Sequence, residues 1–146
     1  MSKIMVGVLI DRSVDEVWAD VADISSHVDW MADAESITFT SESTEGVGTR
    51  FECYTKIGPL HTNDVMEVTA WEPGRSMGVR HSGAVTGEGV FTLEPVGPDS
   101  SQTWFAWTEN LQFPWYMAGP LGAAAARPIF AWIWRRNLRA LKARLS

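Results

Sequence analysis

Residues 120–146, PLGAAAARPIFAWIWRRNLRALKARLS, decide how the rest of the chain is read. After Gly119 the turn residues thin out and helix formers take over, first Ala123 to Ala126, then a run through Leu138, Leu141 and Leu145. Counting back from Leu145, the positions Leu141, Leu138, Trp134, Phe130 or Ala131, and Ala123 recur at three- and four-residue steps, the signature of an apolar helical stripe. Pro120 suits a first helical turn, where its missing N–H costs nothing. Pro128 lies inside the run, removes one hydrogen bond and crowds the preceding turn, so a kink or break is expected near Arg127. At 1.5 Å per residue, about 25 helical residues reach roughly 37 Å, the width of a small domain. A helix of that length needs a sheet to lie against.

The preceding sequence supplies one. Residues 3–10 alternate, with Ile4, Val6, Val8 and Ile10 on one face. Ser13 with Glu16 three residues later has capping-box spacing, and Val14, Val17, Trp18, Val21 and Ala22 give the short helix that follows its apolar side. A second short helix is expected over residues 24–31, carrying His27 and Trp30, with Ser25 as its cap. From Glu35 the period changes to two: residues 35–40, 49–57, 61–71, 77–82, 85–94 and 103–113 read as strands separated by Gly- and Pro-containing turns. One strand, two short helices, six strands at hairpin spacing and one long helix make an α+β fold with an antiparallel sheet.

The 146 residues, 45% apolar, suit one domain spanning 1–146 with a real core. The single Cys53 makes no internal disulfide, which together with a strand-like N-terminus suggests a reducing, cytoplasmic setting. The net charge of −6 is unevenly spread: residues up to Glu109 carry −12, and those beyond it carry +6 with no acid. A solvated helix face, with Arg135, Arg136, Arg139, Lys142 and Arg144 near the negative helix end, accounts for the second part. Peripheral contact with an anionic membrane stays open, whereas the overall acidity argues against nucleic acid. Residues 111–134 are apolar enough to raise the question of a membrane span, but three prolines and Arg127 argue against it.

Several functions find no motif. His27, His61 and His81 stand at no metal-ligand spacing, and no metal or cofactor is expected. Nucleophile elbows, phosphate loops and dinucleotide fingerprints are absent from the sequence. Chemistry, if any, would be acid-base work in a cavity. Taking the more apolar parity of each strand as the concave side, the candidates are Phe51, Cys53 and Thr55; Met66, Val68 and Ala70; Met77, Val79 and His81; Gly87, Gly89, Phe91 and Leu93; and Phe105, Trp107 and Glu109. The two glycines let the sheet bend or leave room for a ligand. His81 and Glu109 are the acid-base candidates. A hairpin across Gly83 sets His81 opposite Val85 and Glu109 near Gly89, which keeps the two apart; each then stands at a rim, or Glu109 pairs with Arg80 or Arg50. Trp115, Phe130 and Trp134 join the candidate ligand wall. The stretch Phe113-Pro114-Trp115-Tyr116-Met117 with Gly119 has the composition of a lid, and the all-round apolar residues 130–134 need a second contact, for which a homodimer is one answer and the lid another.

The element order, together with VDEVWADVAD at Val14 to Asp23, the His27 to Trp30 segment, GVGTR ending at Arg50, and WEPGR at Trp71 to Arg75, resembles the polyketide cyclase/dehydrase and START-like superfamily, also called SRPBCC, over essentially the whole chain. The resemblance implies a helix-grip fold, in which a curved seven-stranded antiparallel sheet wraps a long C-terminal helix around a hydrophobic tunnel, with two short helices after strand 1. It also implies a hydrophobic ligand, lipid-, quinone- or polyketide-like. Three functions remain open on that footing: a binding or carrier protein; a polyketide cyclase or dehydratase with His81 or Glu109 as acid-base group and Tyr54 or Thr55 as helper; and a docking module using the apolar helix face. Likeness of fold does not transfer chemistry.

Overall fold

The computed structural model describes residues 2–83, 86–113, 115 and 118–146. The elements run β1 (Ser2–Ile10), α1 (Val14–Val21), a 3-10 helix (Ile24–Asp29), β2 (Ala34–Phe39), β3 (Arg50–Ile57), β4 (Leu60–Glu72), β5 (Ser76–Ser82), β6 (Thr86–Val96), β7 (Gln102–Gln112) and α2 (Gly119–Arg144). The strands form one seven-stranded antiparallel sheet in the order β1-β7-β6-β5-β4-β3-β2. It is a meander from β2 to β7, onto whose last strand β1 is laid. This is the expected α+β helix-grip arrangement.

The local signals account for most element ends. Ser13 caps α1 by accepting the Glu16 N–H at 3.3 Å, while its hydroxyl donates to the Glu16 carboxylate at 3.1 Å. That hydroxyl is the main reason the Glu16 carboxyl lies below its ordinary pKa. The 3-10 helix has Asp23 at its cap position rather than Ser25, whose hydroxyl donates to the Asp23 carboxylate. α2 is not broken at Arg127; it continues through Pro128 to Arg144. One missing N–H is a single lost bond in a helix whose inner face is tied down by tertiary contacts.

That inner face is the expected stripe: Ala123, Trp134, Leu138 and Leu141 are buried, with Phe130, Ala131 and Leu145 half-buried. The indole of Trp134 stacks on Trp107 of β7 with centroids 4.8 Å apart, and Phe130 stacks on Trp134 at 5.6 Å. Trp30, brought in by the 3-10 helix, meets Phe91, Phe105 and Trp107. These rings fill the middle of the concave face. Asn137 is the polar exception on the stripe: its amide donates to Asp33 at 2.8 Å and its oxygen accepts the Ala32 N–H at 3.1 Å. At the helix C-terminus Arg144 pairs with Asp20 and Asp29, tying α2 to α1 and the 3-10 helix.

The alternation of the strands is interrupted on β2, between Ala34 and Ser36, and on β4. A register shift between Val68 and Ala70 moves Ala70 to the convex side opposite Gly78 and brings Trp71 inward, opposite Met77 and edge-on to Trp18. Ala70, expected on the concave side, is therefore corrected.

His27 is a buried imidazole whose Nε2–H donates to the Val21 carbonyl at 2.8 Å. Burial, the leading cause, holds its pKa below the ordinary histidine value, opposed by the Val21 hydrogen bond and by Asp23 and Asp20. The unfolded chain takes up this proton below about pH 6.5, whereas the folded chain takes it up only at lower pH, so stability is complete above about pH 6.5 and falls beneath it. The expected thermal midpoint drops between about pH 6.5 and 5, with His27 contributing up to about 1.4 kcal/mol per pH unit. A His27→Asn variant, less stable at neutral pH, should show that much less slope; an identical slope would remove His27 as the cause.

Candidate functional site

β6 presents no side chain at two successive concave positions, Gly87 and Gly89. Gly87 registers with His81 of β5, and Gly89 with Glu109 of β7. The imidazole and the carboxylate reach over this bare strand from either side and meet, His81 Nε2 to Glu109 Oε1 at 2.8 Å, with each side chain only 10% exposed. A Cβ at Gly89 would stand 3.0 Å from Glu109 Oε1, and one at Gly87 would stand 3.4 Å from His81 Nε2 and overlap the Asn110 carbonyl oxygen. The glycines thus make room for the imidazole–carboxylate contact.

This corrects the expectation that the two groups stay apart. The β5–β6 connection is longer than the tight hairpin assumed, so His81 lies opposite Gly87, and Val85 falls outside the described residues. Nor does Glu109 use an arginine, because Arg50 and Arg80 both pair with Glu67 on the convex side, at 3.1 and 3.4 Å.

A second polar set adjoins the pair. Asp64 of β4 registers with Cys53 of β3 and lies on the same face as His81. Its Oδ2 accepts the hydroxyls of Thr55 at 3.4 Å and Thr62 at 3.3 Å, and the Thr55 hydroxyl lies 3.6 Å from the Cys53 sulfur. Burial pushes the Asp64 carboxyl above its ordinary pKa, with the His81 imidazole pulling the other way. Burial also pushes the Cys53 thiol up, which keeps it protonated and a poor nucleophile. Sequence parity carried Asp64, two residues before Met66, but its charge on a weakly apolar strand hid it. Tyr54 is on the convex side, its hydroxyl 2.7 Å from His61 Nδ1, so of the two expected helpers only Thr55 adjoins the pair.

The remaining candidates divide by depth. Phe91, Phe105 and Trp107 are buried in the packed ring cluster with Trp30, and Phe51 is buried with its ring edge-on to Phe39. Met66, Val79, Thr55, Gly87 and Phe130 are half-buried and give the accessible part of the concave face. Phe113 meets Phe130 edge-on at 6.2 Å. Trp115 is exposed, and Pro114, Tyr116 and Met117 of the expected lid lie outside the described residues. Strand direction places His81, Glu109, Thr55 and Asp64 toward the end of the sheet where the β3–β4, β5–β6 and β7–α2 connections converge. Among the described residues no three His, Cys, Asp or Glu side chains form a metal-holding group. No helix among them is long and apolar enough to cross a membrane.

Chemically, the arrangement offers a desolvated imidazole–carboxylate pair with a second carboxyl and two hydroxyls beside it, walled by aromatic and aliphatic side chains. Such a site can hold a hydrogen-bonding group of an apolar molecule or move a proton at it.

No curated protein matches the sequence. Among solved structures, a conserved protein from Geobacillus kaustophilus superposes with a TM-score of 0.80 at 16% identity, covering 99% of this chain and 95% of its own. A START superfamily protein from Mycobacterium smegmatis gives 0.80 at 13% identity, covering 98% and 96%. The Zhui aromatase/cyclase from a Streptomyces species, strain R1128, gives 0.73 at 18% identity, covering 99% and 93%. At these identities the likeness is one of fold. The model of the family described as polyketide cyclase / dehydrase and lipid transport matches residues 1–146, and the chain belongs to that family.

Proposed function

We propose that this protein binds a hydrophobic, ring-bearing or acyl small molecule at the open end of the concave face, between β3–β5 and the N-terminal half of α2. The observation that carries the reading is the His81–Glu109 pair at 2.8 Å, nearly buried, with Asp64 and its two threonine hydroxyls beside it and aromatic and aliphatic side chains around them. A paired imidazole and carboxylate in such surroundings contribute specificity, because a ligand lacking the complementary polar group leaves them poorly satisfied. Met66, Val79 and Phe130 would contact the apolar body, and the pair would contact its polar group. Native mass spectrometry of the protein as purified, followed by solvent extraction, tests this directly. A stoichiometric lipid-, quinone- or polyketide-like molecule is expected; Glu109→Gln should weaken its binding about tenfold by removing the charged acceptor. An empty protein that also fails to bind a panel of such molecules would reject the reading.

The same pair favours a second reading, an enzyme of the cyclase or dehydratase type in which His81 and Glu109 pass a proton to or from the bound molecule. On that reading Glu109→Gln lowers turnover about a hundredfold. Unchanged turnover with weakened binding would leave the carrier reading alone.

A further inference from the structure

The outward side of α2 carries a second pattern, separate from the stripe that faces the sheet. Leu121, Ala125, Ile129, Trp132, Arg136 and Arg139 follow one another at steps of four, four, three, four and three residues, which is one continuous line along a helix. All six are exposed; Leu121 is 80%, Ile129 58% and Trp132 57% solvent-accessible. The line is apolar in its first half and cationic in its second, and the Arg136 guanidinium lies 4.8 Å over the Trp132 ring at the junction. Arg135 adjoins the cationic half. Among the described residues no acid pairs with Arg135, Arg136 or Arg139, and no acid follows Glu109 in the sequence.

We propose that this line docks the protein on an anionic lipid surface, with Leu121, Ile129 and Trp132 entering the headgroup boundary and Arg135, Arg136 and Arg139 meeting the lipid phosphates. Exposed aliphatic side chains, a tryptophan and basic residues on one helix face are the composition of a helix that lies in the plane of an interface. The charge distribution selects this occupant. A second copy seated on the same face in a two-fold contact would set the arginines against the partner's arginines or against its apolar half, and the line offers them no acid in either arrangement. A nucleic acid would satisfy the arginines but would leave Leu121 and Ile129 in water. The chain up to Glu109, at −12, is repelled by an anionic surface and turns away from it, presenting the cationic helix. Docking through this face is independent of what the concave face binds.

Co-sedimentation with vesicles tests it. Binding is expected to phosphatidylcholine vesicles containing about 30 mol% phosphatidylglycerol, to be weak on phosphatidylcholine alone, and to be largely lost in about 0.5 M NaCl. Ile129→Glu combined with Trp132→Glu should reduce binding at least about tenfold, as should Arg135→Gln combined with Arg139→Gln. Both pairs are exposed, so thermal melting close to that of the parent chain verifies the fold. Absence of sedimentation, equal binding to neutral and anionic vesicles, or binding unaffected by either pair would overturn the proposal. So would tighter binding to double-stranded DNA than to the anionic vesicles. A dimer seen by light scattering and dissolved by the Ile129→Glu/Trp132→Glu pair would assign the face to a second copy instead.

Discussion

Gly87→Ala is expected to destabilise the protein by about 3 kcal/mol, close to the upper end of the usual cost of overpacking. The added methyl would overlap the backbone carbonyl oxygen of Asn110, which is fixed within the β6–β7 ladder and does not yield as a side chain would. Gly89→Ala is the informative contrast. There the nearest atom is Oε1 of Glu109, at 3.0 Å, the end of a side chain that can rotate away. Its cost should be about 1 kcal/mol, borne mainly by the His81–Glu109 contact. Chemical denaturation of both variants decides the matter: equal costs would mean that the bare strand is tolerated for its flexibility rather than required by what stands beside it. Filling position 89 therefore perturbs the polar pair as well as any ligand volume, and loss of binding in a Gly89→Phe protein would report both.

Asn137→Ala is expected to cost about 3 kcal/mol, combining a cavity on the buried face of α2 with two lost hydrogen bonds. The amide is the only buried polar side chain between Trp134 and Leu141, and it fastens the helix to the segment before β2 through Ala32 and Asp33. Asn137→Asp should be worse, because it sets a second carboxylate against Asp33 and removes the amide donor that hydrogen-bonds it. For a chain of this size about 3 kcal/mol corresponds to a fall in the thermal midpoint of roughly 10 °C. A loss under about 1 kcal/mol for Asn137→Ala would show that water replaces the amide and that apolar packing alone seats the helix.

The architecture was readable because it rests on periodicity. The three- and four-residue steps from Ala123 to Leu145 and the two-residue steps in the strands are local, and a one-residue error in an element's end leaves them intact. The site was less readable because it rests on register between strands distant in sequence. Assuming a tight turn at Gly83 moved His81 two residues along β6, from Gly87 to a position opposite Val85, and separated it from Glu109. Even with the right register, contact between side chains two strands apart is unexpected unless the intervening strand is bare, which is what the alternate glycines signalled. The bulge between Val68 and Ala70 left no mark in the pattern of apolar residues, so the inward turn of Trp71 could not be read. Asn137 went unread, since its partners, Ala32 and Asp33, lie more than a hundred residues away in the chain.

The placement of β1 has a consequence for how the chain is made. Among the described residues its residues 2–10 pair only with β7 and pack mainly beneath α2, so β1 leaves the ribosome well before the strand and helix that cover it. The meander from β2 to β6 can zip progressively as it emerges, but β1 remains an unsatisfied edge until residues 102–144 follow. At ordinary translation speeds that wait is on the order of several seconds. The nascent domain therefore carries an exposed apolar strand until β7 and α2 emerge, and chaperone engagement should concentrate on that strand rather than on the meander that follows it.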